Sequence, residues 1–246
     1  NLAPEGTYFY RTKASNMVGD DWSDQTKAFV AKGDVAYDSG SLLIDTSTGA
    51  WRHTDGDSFV GQIVNLTHLD ANGNQIPYSV CRFHFDSLQL FGSLTVTVQG
   101  DNTLEIVIPE DGDVLIGVDI DLSGTAGGDV DPGQGKVGGF DGGGLSAPGV
   151  GPGRGAGNAA TGGGGGGYGG SGGGATATTG QPYGNALIND LFGGSGGGGG
   201  GNRGGGGGGG GIKILAGRNL TMDAELKANG GAGGSSGTNN GGGGAG

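Results

Sequence analysis

The sequence has almost no cysteine, few basic residues and no long hydrophobic run. Cys81 is the single cysteine among 246 residues, so no internal disulfide can form, and we expect a buried free thiol in a strand. Lys and Arg number 12 against 24 Asp and Glu, which gives a formal net charge of −12 and disfavours binding to nucleic acid. No apolar run approaches the roughly 20 residues that span a bilayer. We therefore expect no membrane insertion.

Recognisable catalytic motifs are also missing. His53, His68 and His84 show no HxH or HxxxH spacing, and no nucleophile motif occurs in a supporting context. The glycine runs lack the Lys-Ser/Thr that ends a phosphate loop. We therefore predict no enzyme activity, no catalytic residue and no cofactor. The alternative is a polysaccharide-cleaving enzyme, which would need carboxylates paired in a groove.

Calcium is the one ion that the sequence leaves open. Asp111, Asp113, Asp119 and Asp121 are weak candidates for Ca²⁺ ligands between stacked strands, and the alternative is a solvated acidic face. Residues 70–74 resemble the start of a calcium loop, but the glutamate expected at its twelfth position is absent. An Asn-Gly hairpin turn explains that segment more simply.

Glycine is the residue in excess, and it is unevenly distributed. Of 67 glycines, 12 lie in residues 1–123 and 55 in residues 124–246. The whole net charge of −12 belongs to residues 1–123. We predict an acidic N-terminal β domain, residues 1–100, followed by a glycine-rich region, residues 101–246, that is nearly neutral and able to pack against copies of itself.

Strand patterns dominate the chain up to residue 124. Apolar and polar residues alternate over residues 80–85, 94–98 and 104–122, as in half-buried strands, and turn residues separate the runs. Only residues 22–32 have the pattern of a short helix. The predicted fold class is therefore all-β.

An internal repeat joins the two halves. Residues 114–124 match residues 220–230 without gaps, and residues 104–108 match residues 212–216. One unit, strand–turn–strand–Gly-Gly, thus occurs twice, at 104–128 and 212–234, on either side of a polyglycine insertion at 129–211. Such units predict a stacked, solenoid-like sheet. Because a glycine run precedes a strand in this pattern, we expect the polypeptide to continue past residue 246 or a neighbouring subunit to complete the sheet.

The glycine runs have two interpretations. Composition alone is typical of flexible linkers. An ordered alternative needs backbone hydrogen bonds and close packing, either as a flat β arrangement or as a bundle of extended threefold helices of the polyproline-II type. We favour the second, a polyglycine-II bundle, in which aromatic residues fix the packing; a carbohydrate platform built from them is the alternative. The predicted packing and assembly residues are Gly162, Gly167, Tyr168, Tyr183, Phe192, Gly196, Gly201, Gly204, Gly211, Ile212 and Ile214.

Several stretches resemble secreted, glycine-rich bacterial surface proteins of unassigned biochemical role. They are residues 83–88, 94–98, 114–124, 138–143, 183–197 and 212–234. The glycine-rich tips of phage adhesins and the glycine-rich domain of some receptor ectodomains are similar only in their long glycine runs. The resemblance implies export and a β-rich, solenoid-like scaffold, and it carries no catalytic residue; residues 1–80 lie outside it.

These features predict an extracellular structural protein, a self-assembling subunit of a cell-surface filament or layer. The alternative is a monomeric surface adhesin that binds glycan or another cell surface through its glycine-rich region. In both cases the chain is expected to be secreted.

Overall fold

A computed structural model describes most of the chain. It covers residues 33–68, 75–109, 111–174, 177–184, 190–235 and 239–246, together with the backbone of Leu69 and of four short strands between residues 7 and 30. The described residues form strands, turns and extended segments and no helix, which confirms the all-β class.

The described residues form eighteen strands. They are β1 (Thr7–Tyr10), β2 (Lys13–Asn16), β3 (Gly19–Trp22), β4 (Lys27–Val30), β5 (Asp34–Tyr37), β6 (Ser41–Asp45), β7 (Ala50–His53), β8 (Ser58–Val60), β9 (Gln62–Leu69), β10 (Gln75–His84), β11 (Ser87–Leu90), β12 (Thr95–Gln99), β13 (Thr103–Val107), β14 (Val114–Ile116), β15 (Ile120–Asp121), β16 (Ile212–Leu215), β17 (Leu220–Met222) and β18 (Leu226–Lys227).

The strands from β5 onward stand in three rows. The first row runs β9–β10–β13–β16, the second β5–β11–β14–β17, and the third β8–β7–β6–β12. The pair β15–β18 forms a separate small sheet in contact with β12, and we count it as the continuation of the third row. From β10 onward, three consecutive strands of the chain supply one strand to each row, so these strands fall into layers. We call β10–β12 the second layer, β13–β15 the third layer and β16–β18 the last layer.

Pairing between these layers is parallel and in the register of the repeat. Val114 pairs with Leu220, Leu104 with Ile212 and Ile120 with Leu226. The gap-free match of the two sequence units is therefore confirmed as contact between neighbouring strands. The rows also continue across residue 100, where the N-terminal β domain was predicted to end. There β10 pairs in parallel with β13, and β11 pairs in parallel with β14.

Period-two alternation explains which side chains enter the core. Along β14 and β15 the residues Val114, Ile116 and Ile120 are buried, whereas Asp119 and Asp121 are exposed. Successive strand side chains point to opposite faces, so each strand lines the interior with every second residue. Core side chains buried to 1% exposure or less include Leu42, Ile44, Trp51, Leu88, Leu90, Leu104, Ile106, Ile116 and Leu122.

The interior is capped at the end where the rows begin. β7 and β8 pair antiparallel after β6 and turn their aromatic side chains onto the core. The Trp51 ring lies 5.3 Å from Phe83 and 4.9 Å from Phe85, and the Phe59 ring lies 5.3 Å from Phe85. Trp51 is fully buried. Among the residues whose side chains the structure describes, large aromatic side chains close this end of the stack.

One local prediction is wrong. Residues 27–30, inside the segment expected to be a short helix, form β4 and pair antiparallel with β1. The aromatic and β-branched residues there suit a strand, and pairing with a distant strand outweighs local preference. Residues 70–74, the weak calcium-loop candidate, lie outside the described residues.

Candidate functional site: the glycine core and the last strand layer

Backbone hydrogen bonds organise the glycine-rich segments with a period of three. In the run 204–211 the first, fourth and seventh N–H groups donate to carbonyls of segment 122–128 at 2.8–3.0 Å. The second, fifth and eighth donate to segment 137–143 at 2.8–2.9 Å, and the third and sixth to segment 242–245 at 2.8–2.9 Å. Each neighbour is thus met once every three residues, as an extended threefold helix requires.

Carbonyls of the same run accept from three further neighbours. The run 204–211 is therefore surrounded on all sides by segments 122–128, 133–135, 137–143, 194–197, 231–234 and 242–245. The run 194–200 repeats the pattern, since its first, fourth and seventh N–H groups reach segment 203–209 at 2.8–2.9 Å. We call the described parts of 122–211 and 228–246 the glycine core.

Close approach of these backbones explains why the core is made of glycine. A Cβ added at Gly208 would lie closer than 3.0 Å to the carbonyl of Gly194, and one added at Gly199 would collide in the same way with the carbonyl of Gly144. Both atoms met are backbone atoms and cannot rotate away. The spacing between segments is therefore set by the absence of side chains.

The segment 168–174 differs from the interior runs. It lies at the surface, with Gly169, Gly170, Gly173 and Gly174 exposed. A Cβ at Gly169, Gly170 or Gly173 would meet nothing within 4 Å. We call 168–174 the outer glycine strip. Its residues Gly169, Gly170 and Gly173 present backbone to solvent and need not be glycine for reasons of space, whereas Gly172 packs closely against the carbonyl of Gly165.

The predicted packing residues all lie in or beside the core. Gly196 and Gly204 lie in buried runs, and Gly162 and Gly201 adjoin turns. The N–H of Gly167 donates to the carbonyl of Gly153 at 2.7 Å. Gly211 accepts from the N–H of Leu104 at 3.0 Å. The half-buried Ile212 and Ile214 pack against the hydrophobic core. The glycine core and the strand rows are thus joined through continuous backbone.

Aromatic residues form a contact between the core and the β9–β10 hairpin. The rings of Tyr168 and Tyr183 are 5.3 Å apart, and Phe192, only 5% exposed, lies 4.4 Å from Tyr78. Burial raises the pKa of Tyr168 and of Tyr183. These rings pack mainly on one another.

Sequence reasoning missed the polar centre of this contact. His68 Nδ1 lies 2.7 Å from Asp190 Oδ2, and the Tyr78 hydroxyl donates to Asp190 Oδ1 at 3.2 Å. Burial, followed by the charge of Asp190, raises the pKa of Tyr78 to about 12. The His68 ring also lies 5.0 Å from Phe192, edge to face. No spacing in the sequence connects these residues, which come from distant segments.

Charges alternate between the third layer and the last layer. Glu105 of β13, 5% exposed, is flanked in register by Arg82 and by Lys213, whose Nζ is 3.4 Å away. Arg218 Nε donates to Asp113 at 2.9 Å in the second row. In the third row Asp121 pairs in register with Lys227. Each basic residue of the last layer therefore faces an acidic residue of the third layer.

The outer side of the last layer is uncovered. In the described part of the chain no strand pairs with the outer edges of β16, β17 or β18. Leu220, Met222 and Leu226 are 48%, 41% and 39% exposed, although they continue the columns of Val114, Ile116 and Ile120, which are at most 2% exposed. The hydrophobic interior is therefore open at this end.

Three of the four candidate calcium ligands, Asp113, Asp119 and Asp121, accept hydrogen bonds from protein groups. Asp113 is bound by Arg218 and Asn219, and hydrogen bonds from Arg218 lower its pKa to about 2. Asp119 accepts from the N–H of Glu225 at 2.8 Å, and hydrogen bonds from Ser123 lower the pKa of Asp121. Among the described residues no three His, Cys, Asp or Glu side chains converge as metal ligands would.

Asp111 and Asp113 line a surface cavity of about 620 Å³ together with Asp34, Asp86 and Arg218. A carboxyl group that serves as general acid needs a raised pKa. The pKa of Asp113 is shifted the opposite way, to about 2.

Cys81 is fully buried and unpaired, as the sequence predicted. Its side chain belongs to the interior of β10, and burial raises the pKa of the thiol to about 11. Thiolates are the reactive form of cysteine, so this residue serves packing.

Comparison with protein-family models, with curated protein sequences and with solved structures finds no match to this chain. In the part of the chain that the structure describes, no helix is long and apolar enough to cross a bilayer.

Proposed function

We propose that the protein is an extracellular structural protein, a self-assembling subunit of a cell-surface filament or layer. The observation that carries the proposal is the outer glycine strip, residues 168–174, where the ordered backbone of Gly169, Gly170 and Gly173 is exposed to solvent and no close contact at their Cβ positions requires them to be glycine. A second copy of the glycine core is the partner that matches such a surface.

The finer architecture belongs to the same proposal. The three parallel rows form a solenoid-like stack, and the glycine core is a bundle of polyglycine-II helices. The period-three hydrogen bonds and the six neighbours of run 204–211 support the second assignment. Further helices can add to the outside of such a bundle, because an outer helix has the same backbone donors and acceptors as an inner one.

Electrostatics favour contact between two glycine cores. Residues 124–246 carry as many basic as acidic side chains, whereas the excess acid of the whole chain lies in residues 1–123. Two neutral cores can approach without repulsion, while the acidic halves repel one another and remain in solvent. Copies would therefore join through their cores and display their N-terminal halves.

Export is part of the proposal and rests on the resemblance to secreted glycine-rich surface proteins. The densely hydrogen-bonded core supports it, because protease cleavage needs a segment that opens locally. Most backbone of run 204–211 is buried.

Electron microscopy of the purified protein at neutral pH tests the proposal. We expect regular filaments or sheets from the wild type. The double variant Gly170→Lys/Gly173→Lys should stay dispersed, because charged side chains block the approach of another backbone. This variant should fold normally, because no atom lies within 4 Å of the Cβ position at residue 170 or residue 173.

The matched control is Ser58→Lys/Val60→Lys, which adds the same charge at exposed positions of β8. It should assemble as the wild type does. Dispersed wild-type particles, or normal filaments from the glycine-strip variant, would contradict the proposal.

The second candidate, a monomeric adhesin, is favoured by two exposed turns of the glycine core. Val130 is 58% and Leu145 44% exposed. Both turns flank the turn at 201–203, because Gly204 donates to Gly128 and Ser146 to Gly200. Substitution of Val130 and Leu145 by serine should then weaken binding to glycans or cells without changing the particle size, and unchanged binding would count against it.

A further inference from the structure

The last layer fits into a sequence of alternating charge along the stack. In the first row the outward residues read Arg82, Glu105, Lys213, and each contacts the next. The other two rows place Arg218 next to Asp113 and Lys227 opposite Asp121. In each row a basic residue of the last layer thus lies next to an acidic residue of the third layer, and Lys227 also pairs with Glu225 of its own layer at 2.6 Å.

The uncovered side of this layer combines three features of an incomplete interior. The outer edges of β16, β17 and β18 have no paired strand among the described residues. Leu220, Met222 and Leu226 leave an apolar centre exposed. The side chains of Lys213, Arg218 and Lys227 stand around it, 38%, 60% and 43% exposed.

Neither end of a second copy suits this face. Another last layer would bring its own Lys213, Arg218 and Lys227 against these cations. Glu225 pairs with Lys227 within the layer, but the three basic residues outnumber Asp223 and Glu225, so the contact brings like charges together. The opposite end of a copy is closed by β7 and β8, whose aromatic side chains fill the interior. A capped end offers no open column of apolar residues to continue the core.

We propose that the last layer binds a strand layer of a partner polypeptide whose inward residues are apolar and whose outward residues are acidic. The partner strands add in parallel to β16, β17 and β18 and continue the columns of Leu220 and Leu226. Its carboxylates lie against Lys213, Arg218 and Lys227, as Glu105, Asp113 and Asp121 do on the other side. Strand addition supplies the backbone bonds, and the charges set the register.

The capped end gives this binding a direction. Growth by layers occurs only at the last layer, so the protein forms one terminus of the stack that it joins, as capping repeats do in repeat proteins. This surface is distinct from the outer glycine strip, so either proposal can fail while the other stands.

A peptide with the required chemistry tests the inference. The probe is residues 103–123 of this chain, the third layer itself, titrated into the full 246-residue protein by isothermal calorimetry. The matched peptide carries Glu105→Lys, Asp113→Lys and Asp121→Lys. We expect saturable binding of the acidic peptide, and affinity weaker by about tenfold or more for the reversed one.

A protein variant locates the site. Leu220→Ser/Met222→Ser should abolish binding of the acidic peptide, and an unchanged circular dichroism spectrum and melting temperature would show that it is folded. Failure of the acidic peptide to bind, equal binding of both peptides, or full binding to the variant would each overturn the proposal. So would dimers of the wild type that this variant dissociates, because they would make a second copy the occupant.

Discussion

Replacing Gly208 by alanine should destabilise the protein, whereas replacing Gly144 should not. A Cβ at position 208 would lie closer than 3.0 Å to the carbonyl carbon and oxygen of Gly194. The run 204–211 has neighbours on all sides and cannot move away from one without pressing on another. At Gly144 a Cβ would meet nothing within 4 Å.

The magnitude follows from two costs at Gly208. Overpacking by one methyl group in a tight interior costs about 1–3 kcal/mol. Moving the run also strains bonds such as that from the Gly208 N–H to Phe140, now 2.8 Å, each worth about 1 kcal/mol. The sum is about 3 kcal/mol, or a melting temperature lower by roughly 6–12 °C for a chain of this size.

At Gly144 only the unfolded state changes. Alanine restricts the unfolded chain and stabilises the protein by about 0.4–1 kcal/mol where its conformation is tolerated. The two variants should therefore move the melting temperature in opposite directions, as measured by differential scanning calorimetry. Equal melting temperatures would refute the argument that close backbone approach dictates glycine in the core.

Three further predictions follow from individual side chains. The pKa of Asp113 is lowered from 3.8 to about 2, so its contribution to stability is present above about pH 4 and lost as the pH falls through 2. The melting temperature of Asp113→Asn should therefore converge on that of the wild type as the pH falls over this range. A difference in melting temperature that does not depend on pH would contradict this. Native Cys81, with a thiol pKa of about 11, should not react with Ellman's reagent at pH 8 until urea is added, and rapid native labelling would show that it is accessible. Asp190→Asn should weaken the contact with His68 by about 1 kcal/mol. Hydrogen exchange measured by mass spectrometry should then be about fivefold faster for the amides of β9 and β10 and unchanged for those of β14. Equal exchange rates in the variant and the wild type would mean that the contact is not stabilising.

Sequence patterns predicted the parts of the fold that repeat. Period-two alternation located the strands around Val114 and Ile120. The gap-free repeat aligned Val114 with Leu220 and predicted stacked strands, and in the structure these two residues pair in register. Both are visible because the same side-chain spacing serves the same interior at each layer. The burial of Cys81 between apolar neighbours follows from the same alternation.

Contacts between unlike segments could not be predicted in this way. The pairing of His68 with Asp190 and the closure of the interior by Trp51 each depend on where a turn directs one side chain. The alternation of Glu105 and Lys213 follows from the repeat, but it becomes visible only once the strands are aligned in space. The error at residues 27–30 has the same origin, since pairing with β1 decides their conformation.

The position of the glycine core within the chain has a consequence for how the protein folds. β15 ends at Asp121 and β16 begins at Ile212, yet Gly210 donates to Leu122 at 2.8 Å. Closing a loop of about 90 residues costs about 4 kcal/mol of chain entropy relative to a contact between neighbouring residues. The last layer therefore cannot dock early, and its formation waits for the core to collapse. Because contacts so distant in sequence slow folding, we expect refolding on a time scale of milliseconds to seconds or longer, with the edge of β13 and β14 exposed until that final step.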